Sequence, residues 1–180
     1  LWKRDNRAHH DLAVLADGDI WVLTSRLRSI PEYAAEVPVQ EDFLTLLDRD
    51  GETKREISLL ASIERSRYRD TLAGPMRSGL RPDAPVYDIF HTNTLEVLDG
   101  RAAGIRPEFA RGNILTSFRS LNLICVIDPA SGSTLWAYRG RFKRQHDPKI
   151  IDGGHLLLFD NSGGGKASAV LEYDLATMDI

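Results

Sequence analysis

A hairpin that begins with histidine and occurs three times along the chain limits the possible folds most strongly. Each copy has an alternating apolar strand, a glycine-containing turn and a second strand, as in HHDLAVLADGDIWVLTSR, HTNTLEVLDG…GNILTSFR and HDPKIIDGGHLLLFDN. Eight positions lead from His10 to Gly18 and again from His146 to Gly154, and the middle copy carries an insertion, residues 101–111, at its turn. Alternation with a period of two is typical of half-buried strands, so each copy predicts a β-hairpin.

A second hairpin follows each of these three. The segments are DFLTLLDRDGETKREISL, LICVIDPASGSTLWAYRG and SAVLEYDLATMDI, each a strand followed by a turn that starts with aspartate. One repeat is therefore about four short antiparallel strands, which is the architecture of a β-propeller blade. We predict an all-β chain, a partial β-propeller of about three four-stranded antiparallel blades with a short inserted helix. A β-sandwich would also fit the alternation, but not a histidine that returns at the same place.

The predicted organisation is a single propeller fragment over residues 1–180. Its parts are the last strand of a preceding blade (1–8), a blade (9–57), a helical and loop insertion (58–86), a second blade (87–140) and an incomplete blade (141–180). Propellers close with typically about 4–8 blades, so we expect further blades or a homo-oligomer to complete the ring. The opening LW and the final LATMDI agree with a chain that starts and stops inside a larger architecture.

Two segments depart from the strand pattern. Residues 58–72, SLLASIERSRYRDTL, have apolar residues with charged residues between them, and Ser58 is a good N-cap. We therefore predict a short helix that starts at Ser58 and ends at Gly74-Pro75. Residues 29–40, SIPEYAAEVPVQ, are predicted to form a second loop.

Composition excludes several classes of protein. The 180 residues are 42% hydrophobic and 27% charged, which is typical of a globular domain and not of a disordered chain. The net charge of -3 gives no reason to expect nucleic acid or an anionic membrane as a partner. No apolar run approaches the ~18 residues of a membrane-spanning helix. Cys125 is the only cysteine, so no intrachain disulfide is possible, and its apolar neighbours predict a core position.

The repeated histidines are predicted to meet. In a propeller the first strand of each blade lines the central channel, so residues at the starts of first strands converge on the axis. His10, His91 and His146 would then surround one cavity, with Arg26 and Arg119, at the ends of second strands, near the same mouth. The other interpretation is that these histidines cap strands or bridge blades.

The residues around these histidines resemble a known family, the bacterial arylsulfotransferases. The resemblance covers nearly the whole chain and depends on HHD…DGD, DIFHTN…NILTSFR and QHDPKIIDGGHLLLFDN, of which the pairing FHTN…SFR is the most specific. It implies a six-bladed propeller that moves a sulfuryl group between phenols by a ping-pong mechanism, without a nucleotide sulfate donor, cofactor or metal. It also implies phenolic sulfate donors and phenol acceptors as partners, and a periplasmic or exported location.

The resemblance also implies roles for individual residues. His146 in QHD matches the histidine that becomes transiently sulfated, and Arg119 in TSFR matches the arginine that holds the sulfuryl oxygens. His91 in FHTN matches a second active-site histidine, and Asn93 matches an asparagine that we expect to bind substrate. His10 matches the remaining histidine by its spacing to the turn.

The chemistry of these side chains agrees with such a reaction. Imidazole has an ordinary pKa near ~6.5, so at neutral pH a largely neutral ring can attack sulfur with its lone pair. A planar guanidinium and further hydrogen-bond donors suit the charge that spreads over the three sulfuryl oxygens. His91 or His10 would supply and later remove the phenolic proton. His9 is one position out of the strand register and is left out of this set.

Other interpretations of the same residues stay open. Three histidines around an axis could bind zinc, although no His-x-His or His-x-x-x-His spacing supports this. Three aspartates could bind calcium: Asp11, Asp147 and Asp160. An aspartate beside a turn is, however, more commonly a turn residue. Trp21 and Trp136 are predicted to pack inside blades. The main functional alternative is a non-catalytic propeller that binds a ligand or serves as a scaffold.

Overall fold

The computed structural model describes residues 1–72, 85–161 and 167–180, which form twelve β-strands, one short α-helix and a few 3-10 turns. The strands are β1 (Ala8–Val14), β2 (Ile20–Ile30), β3 (Ala34–Leu47), β4 (Thr53–Ser58), β5 (Tyr87–Asp88), β6 (Thr92–Val97), β7 (Ile114–Phe118), β8 (Leu123–Asp128), β9 (Ser133–Tyr138), β10 (His146–Ile151), β11 (His155–Asp160) and β12 (Ala169–Asp174). The prediction of an all-β chain is confirmed.

The strands form three sheets that follow the order of the chain. Sheet 1 contains β1-β2-β3-β4, sheet 2 contains β6-β7-β8-β9 and sheet 3 contains β10-β11-β12, all with antiparallel neighbours. The short strand β5 pairs in parallel with β3. No sheet closes on itself within the described ranges, so the propeller ring stays a prediction. Residues 1–7 pair with no described strand, and their assignment to a preceding blade also stays a prediction.

The first strands of the three sheets lie next to one another. The carboxylate of Asp11 on β1 accepts a hydrogen bond from the backbone N–H of Leu95 on β6 at 2.8 Å. The hydroxyl of Thr94 on β6 accepts one from the backbone N–H of Asp147 on β10 at 3.0 Å. Residues that begin a first strand are therefore brought into one region, although they are far apart along the chain.

Apolar side chains fill two cores between the sheets. The core between sheets 1 and 2 includes Trp21, Leu23, Leu44, Phe118 and Cys125. The core between sheets 2 and 3 includes Leu115, Val126, Trp136, Leu156 and Tyr173. Each large side chain buried in this way stabilises the fold by about 1.5–3 kcal/mol relative to an exposed position. The two tryptophans and the cysteine pack where the sequence predicted.

Each first strand is irregular near its beginning. On β1 the pairing passes from Ala8 opposite Thr24 to Leu12 opposite Val22, four steps on one strand against two on the other. Near the starts of β6 and β10 the pairing advances three residues along the first strand for every two along its partner. His10, within the bulge of β1, has a φ of 56°, in the left-handed region that non-glycine residues seldom adopt. Bulges of this kind change the direction of side chains that simple alternation would send to opposite faces.

The predicted loop over residues 29–40 is wrong. β2 continues to Ile30 and β3 already begins at Ala34, so the two strands extend as a long ribbon with a short connection. Pro38 on β3 has no N–H to donate. It lies opposite the position on β2, between Arg28 and Ile30, where the pairing of the two strands shifts. Proline is tolerated in a strand at such an irregular position.

The predicted helix starts at the expected residue but is shorter. Helix α1 spans Leu59–Glu64, and the Ser58 hydroxyl caps it by accepting a hydrogen bond from the backbone N–H of Ala61 at 3.0 Å. A separate 3-10 turn follows at Arg69–Leu72, and the expected Gly-Pro end lies outside the described residues. Nowhere in the described part of the chain is there a helix long and apolar enough to cross a membrane.

Candidate active site

The three predicted histidines are brought together at the starts of the first strands. His10 lies in the bulge of β1, His91 precedes β6 and His146 is the first residue of β10. The ring centroids of His10 and His91 are 5.1 Å apart. Burial lowers the pKa of His10, and the neighbouring imidazoles of His9, His91 and His146 lower it further. The imidazoles therefore share one electrostatic environment, which we call the histidine cluster: His9, His10, His91 and His146.

His146 is held through one of its ring nitrogens. Its Nδ1 lies 2.9 Å from the backbone carbonyl oxygen of Arg144, which can only accept. In the neutral ring Nδ1 therefore carries the proton and Nε2 keeps the lone pair. Burial lowers the pKa of His146, and the positive charges of Arg119 and His91 lower it further, against the opposing effect of the Arg144 carbonyl. The site thus favours a neutral imidazole with a nucleophilic Nε2.

Arg119 is half-buried and starts a 3-10 turn directly after β7. The preceding side chain, Phe118, is stacked on Phe90, the residue before His91, with ring centroids 4.3 Å apart and planes at 13°. The backbone N–H of Ser120 donates to the carbonyl oxygen of Phe90 at 2.9 Å. Both aromatic rings are 0% exposed. This buried pair therefore fixes the chain around Arg119 relative to the chain around His91.

Arg26 does not join the site, and the expectation that it lies near the same mouth is wrong. Its guanidinium forms an ion pair with Glu56 and lies over the ring of Phe43, 5.0 Å from the centroid. The physical reason is strand length: β7 ends at the residue before Arg119, whereas β2 continues four residues beyond Arg26 to Ile30. The two arginines of similar motifs therefore occupy different environments.

Asn93 connects sheet 2 to sheet 3 beside the histidine cluster. Its Nδ2 donates to the backbone carbonyl oxygen of Gln145 at 2.8 Å. Gln145 is 0% exposed, and its own Nε2 donates to Ser117 Oγ at 2.9 Å and to the Leu123 carbonyl at 3.0 Å. These bonds hold the residue before His146 against β7 and β8. Asn93 thus positions the strand of His146, while its contact with substrate stays a prediction. Gln145 was not identified from the sequence.

His9 belongs to the cluster although alternation had excluded it. Its Nδ1 lies 2.9 Å from Nδ1 of His10, and its Nε2 lies 3.6 Å from Oδ1 of Asp42. Asp42 on β3 is 0% exposed and also accepts a hydrogen bond from the backbone N–H of Thr92 at 3.0 Å. Burial raises the pKa of this carboxyl. Because the bulge interrupts the alternation of β1, two consecutive histidines both reach the cluster.

Asp88 is a second carboxylate in contact with the cluster. Its Oδ1 accepts the backbone N–H of His91 at 2.7 Å, and its Oδ2 lies 2.6 Å from Nδ1 of the same residue. Burial by itself would raise the pKa of Asp88, but the hydrogen bonds and the charge of His91 outweigh burial and hold the pKa below its usual value. An aspartate three residues before the histidine, in DIFH, was the signal that could have identified this contact.

A cavity of about 380 Å³ lies between β1, β6 and β10. Its walls combine apolar and charged side chains: Leu12, Val14, Leu95, Val97, Asp11, Glu96, Asp147 and Lys149. Asp11 and Asp147 directly follow His10 and His146 along the chain, while none of the four clustered histidines is itself a wall residue. Burial raises the pKa of Glu96 to about 7, although its Oε2 accepts a backbone N–H from Ile150 at 3.3 Å.

We expect Glu96→Gln to stabilise the fold at alkaline pH and not at acidic pH. Glu96 releases its proton at a lower pH in the unfolded chain than in the folded one, so the wild-type protein loses stability as the pH rises from about 4.5 to about 7. Glutamine keeps an oxygen for Ile150 and carries no charge. After allowance for partial exposure, the free energy of unfolding should rise by about 1–2 kcal/mol at pH 8.

Urea unfolding of both proteins at pH 5 and pH 8 measures this difference. Glu36→Gln, which removes a carboxylate from the exposed surface, is the control for the change in net charge. An equal effect of Glu96→Gln at both pH values would contradict the expectation.

A metal site is not apparent among these side chains. Over residues 1–72, 85–161 and 167–180, no three His, Cys, Asp or Glu side chains are grouped so that they could hold a metal ion. The groups at the site are the four imidazoles of the histidine cluster, the neighbouring Arg119, and two carboxylates that each contact one histidine, Asp42 with His9 and Asp88 with His91. Such a set can hold an anion, move a proton and provide a nucleophile.

Comparison with known proteins identifies the family of the chain. A family model described as Arylsulfotransferase (ASST) covers residues 3–180, which is almost the whole chain. It includes every element that contributes to the histidine cluster and its carboxylates. No curated protein matches the chain.

Proposed function

Because the chain belongs to the arylsulfotransferase (ASST) family, we propose that it transfers a sulfuryl group from a phenolic sulfate ester to a phenol. The reaction has two halves and passes through a covalent sulfohistidine at His146. The observation that carries this proposal is the contact of His146 Nδ1 with the Arg144 carbonyl oxygen at 2.9 Å, which puts the lone pair of the neutral ring on Nε2. Burial and the positive charge of Arg119 lower the pKa of the same ring. A protein that only binds a ligand needs no such oriented nucleophile.

In the first half-reaction Nε2 of His146 attacks the sulfur of the donor. The N–S bond forms, the S–O bond to the phenol breaks, and the phenolic oxygen takes the electron pair and a proton. In the second half-reaction the oxygen of an acceptor phenol attacks the same sulfur, the N–S bond breaks, and its electron pair returns to Nε2. Covalent catalysis of this kind divides one difficult exchange into two easier steps.

The transferring group spreads negative charge over three oxygens. In this proposal Arg119 holds two of them with its planar guanidinium, because paired N–H donors match paired oxygens. Donors that are already oriented before the reaction stabilise the transition state without reorganisation. The ring N–H groups of His10 and His91 add further donors for these oxygens.

The cavity beside the cluster supports a phenol as substrate. Leu12, Val14 and Val97 provide apolar contacts for an aromatic ring. Two further wall residues, Asp11 and Asp147, directly follow His10 and His146, where the sulfuryl group would be transferred. Closure of the sheets into a six-bladed propeller, completion of the ring by further blades, and a periplasmic or exported location are parts of this proposal that rest on the family resemblance.

A nitrophenyl sulfate donor and a phenol acceptor test the function. Without acceptor we expect a burst of nitrophenol equal to the protein concentration, together with a mass gain of one sulfuryl group on the peptide of His146. With acceptor we expect continuous release and a ping-pong rate law. Nitrophenyl sulfate bound without any release would support the non-catalytic alternative, and release without a burst or a modified peptide would overturn the sulfohistidine.

A further inference from the structure

Asp88 holds His91 through both of its carboxylate oxygens. One oxygen accepts the backbone N–H of His91 at 2.7 Å and the other faces Nδ1 of the ring at 2.6 Å. His91 also has a backbone φ of 49°, a left-handed conformation that costs energy for a histidine and needs such contacts to persist. The carboxylate therefore determines both the backbone and the ring orientation of His91.

The same contact determines which ring nitrogen of His91 carries the proton. An ionised carboxylate can only accept, so Nδ1 must be the donor and the neutral ring has its lone pair on Nε2. The low pKa of Asp88 keeps this carboxylate ionised at neutral pH. Nε2, on the side of the ring away from Asp88, is the nitrogen left for the reacting phenol.

His91 is also close enough to the other imidazoles to act on the same substrate. Its ring centroid is 5.1 Å from that of His10, and its charge acts on His146. A carboxylate that orients an imidazole beside a nucleophile is the arrangement of a catalytic triad, in which the imidazole moves the proton.

We propose that Asp88 is the positioning residue that makes Nε2 of His91 the general acid and base of the transfer. This inference rests on the proposed function. When the donor's S–O bond breaks, protonated His91 gives its Nε2 proton to the phenolic oxygen. When the acceptor attacks, neutral Nε2 takes the proton of that phenol as its oxygen bonds to sulfur. The proton gained in the second half-reaction replaces the one lost in the first, and Asp88 stays ionised throughout.

The variant Asp88→Asn tests the tautomer directly. The amide oxygen of asparagine is expected to replace Oδ1 as the acceptor of the His91 backbone N–H, which places the amide NH₂ opposite Nδ1. Nδ1 must then accept, and the neutral ring carries its proton on Nε2, where it cannot act as a base. The corresponding exchange in a serine protease triad lowers turnover by about 10⁴-fold through the same change of tautomer.

The two half-reactions are expected to respond differently. A nitrophenolate leaves without protonation, so the rate of the nitrophenol burst in Asp88→Asn should stay within about tenfold of wild type, a smaller change than the ~10²-fold or more that general acid catalysis usually contributes. Transfer to the acceptor phenol needs the base, so kcat for turnover should fall by about 10³-fold. The donor KM should fall by at least about 10²-fold with it, because kcat/KM for the donor reports only the first half-reaction. Nitrogen NMR of the His91 ring should show the protonated nitrogen change from Nδ1 to Nε2.

Asp128→Asn is the matched control. Asp128 accepts backbone N–H bonds in the turn after β8 and contacts no histidine, and we expect this variant to keep wild-type rates. Equal losses of burst and turnover in Asp88→Asn, or turnover within about threefold of wild type, would overturn the inference. A wild-type protein without a burst would instead overturn the proposed function, so the two failures are distinguishable.

Discussion

Replacing His146 with alanine is expected to lower acceptor-dependent sulfuryl transfer by about 10⁴–10⁶-fold, the range for loss of a covalent nucleophile. Alanine provides no lone pair for the N–S bond, while Arg119 and His91 remain to bind the sulfate ester. The burst of nitrophenol and the sulfated peptide should both disappear, and binding of the donor should persist. Stopped-flow release of nitrophenol and mass spectrometry of the digested protein measure these two results.

His155→Ala is the control for this variant. His155 lies at the opposite end of the β10–β11 hairpin, where its Nδ1 contacts Glu172 at 2.5 Å. It is a half-exposed imidazole of the same sheet outside the histidine cluster, so its loss should leave the burst unchanged. A full burst in His146→Ala would show that another residue accepts the sulfuryl group.

Replacing Arg119 with methionine is expected to lower kcat by about 10²–10³-fold, the usual cost of removing one oriented donor to a developing anion. The positive charge of Arg119 also lowers the pKa of His146, so its removal should let His146 take up a proton at a higher pH. The acid limb of the profile of kcat/KM against pH should therefore move to higher pH. Arg119→Lys keeps the positive charge but loses the paired N–H donors of the guanidinium. This variant should have the pH profile of wild type but recover only part of its kcat.

Arg26→Met is the matched control for Arg119→Met. Arg26 follows the same Thr-Ser pattern but forms an ion pair with Glu56 outside the cluster, so kcat and its pH profile should not change. A loss of kcat in Arg119→Met without a shift of the acid limb would contradict the electrostatic effect on His146.

Much of the fold could be predicted because strands with one polar and one apolar side alternate with a period of two. That pattern identified the hairpins, and the turn residues marked their ends. The loop predicted over residues 29–40 was wrong because β2 and β3 extend through most of this segment, and Pro38 lies at a pairing shift where a missing N–H is tolerated. The helix at Ser58 was found from its cap, but its length depends on packing that has no local signal.

Only those residues of the candidate site that recur in the sequence repeats could be predicted. His10, His91 and His146 recur at equivalent places, and the structure brings them together. His9 was missed because a bulge changes the direction of its side chain, which alternation cannot predict. Asp42 was missed because it lies on β3, and only the pairing of β1 and β3 with β2 in sheet 1 places it beside His9.

Each of the three sheets contributes to the cluster, and no single sheet contains it. Asp42 of sheet 1 accepts the backbone N–H of Thr92 in sheet 2, and Thr94 of sheet 2 accepts that of Asp147 in sheet 3. The proposed active site therefore forms only when the three sheets are packed together, since the separation of any two of them would disperse its histidines. Substitutions in the apolar cores, far from any substrate, would then reduce turnover in proportion to the population in which the sheets have come apart.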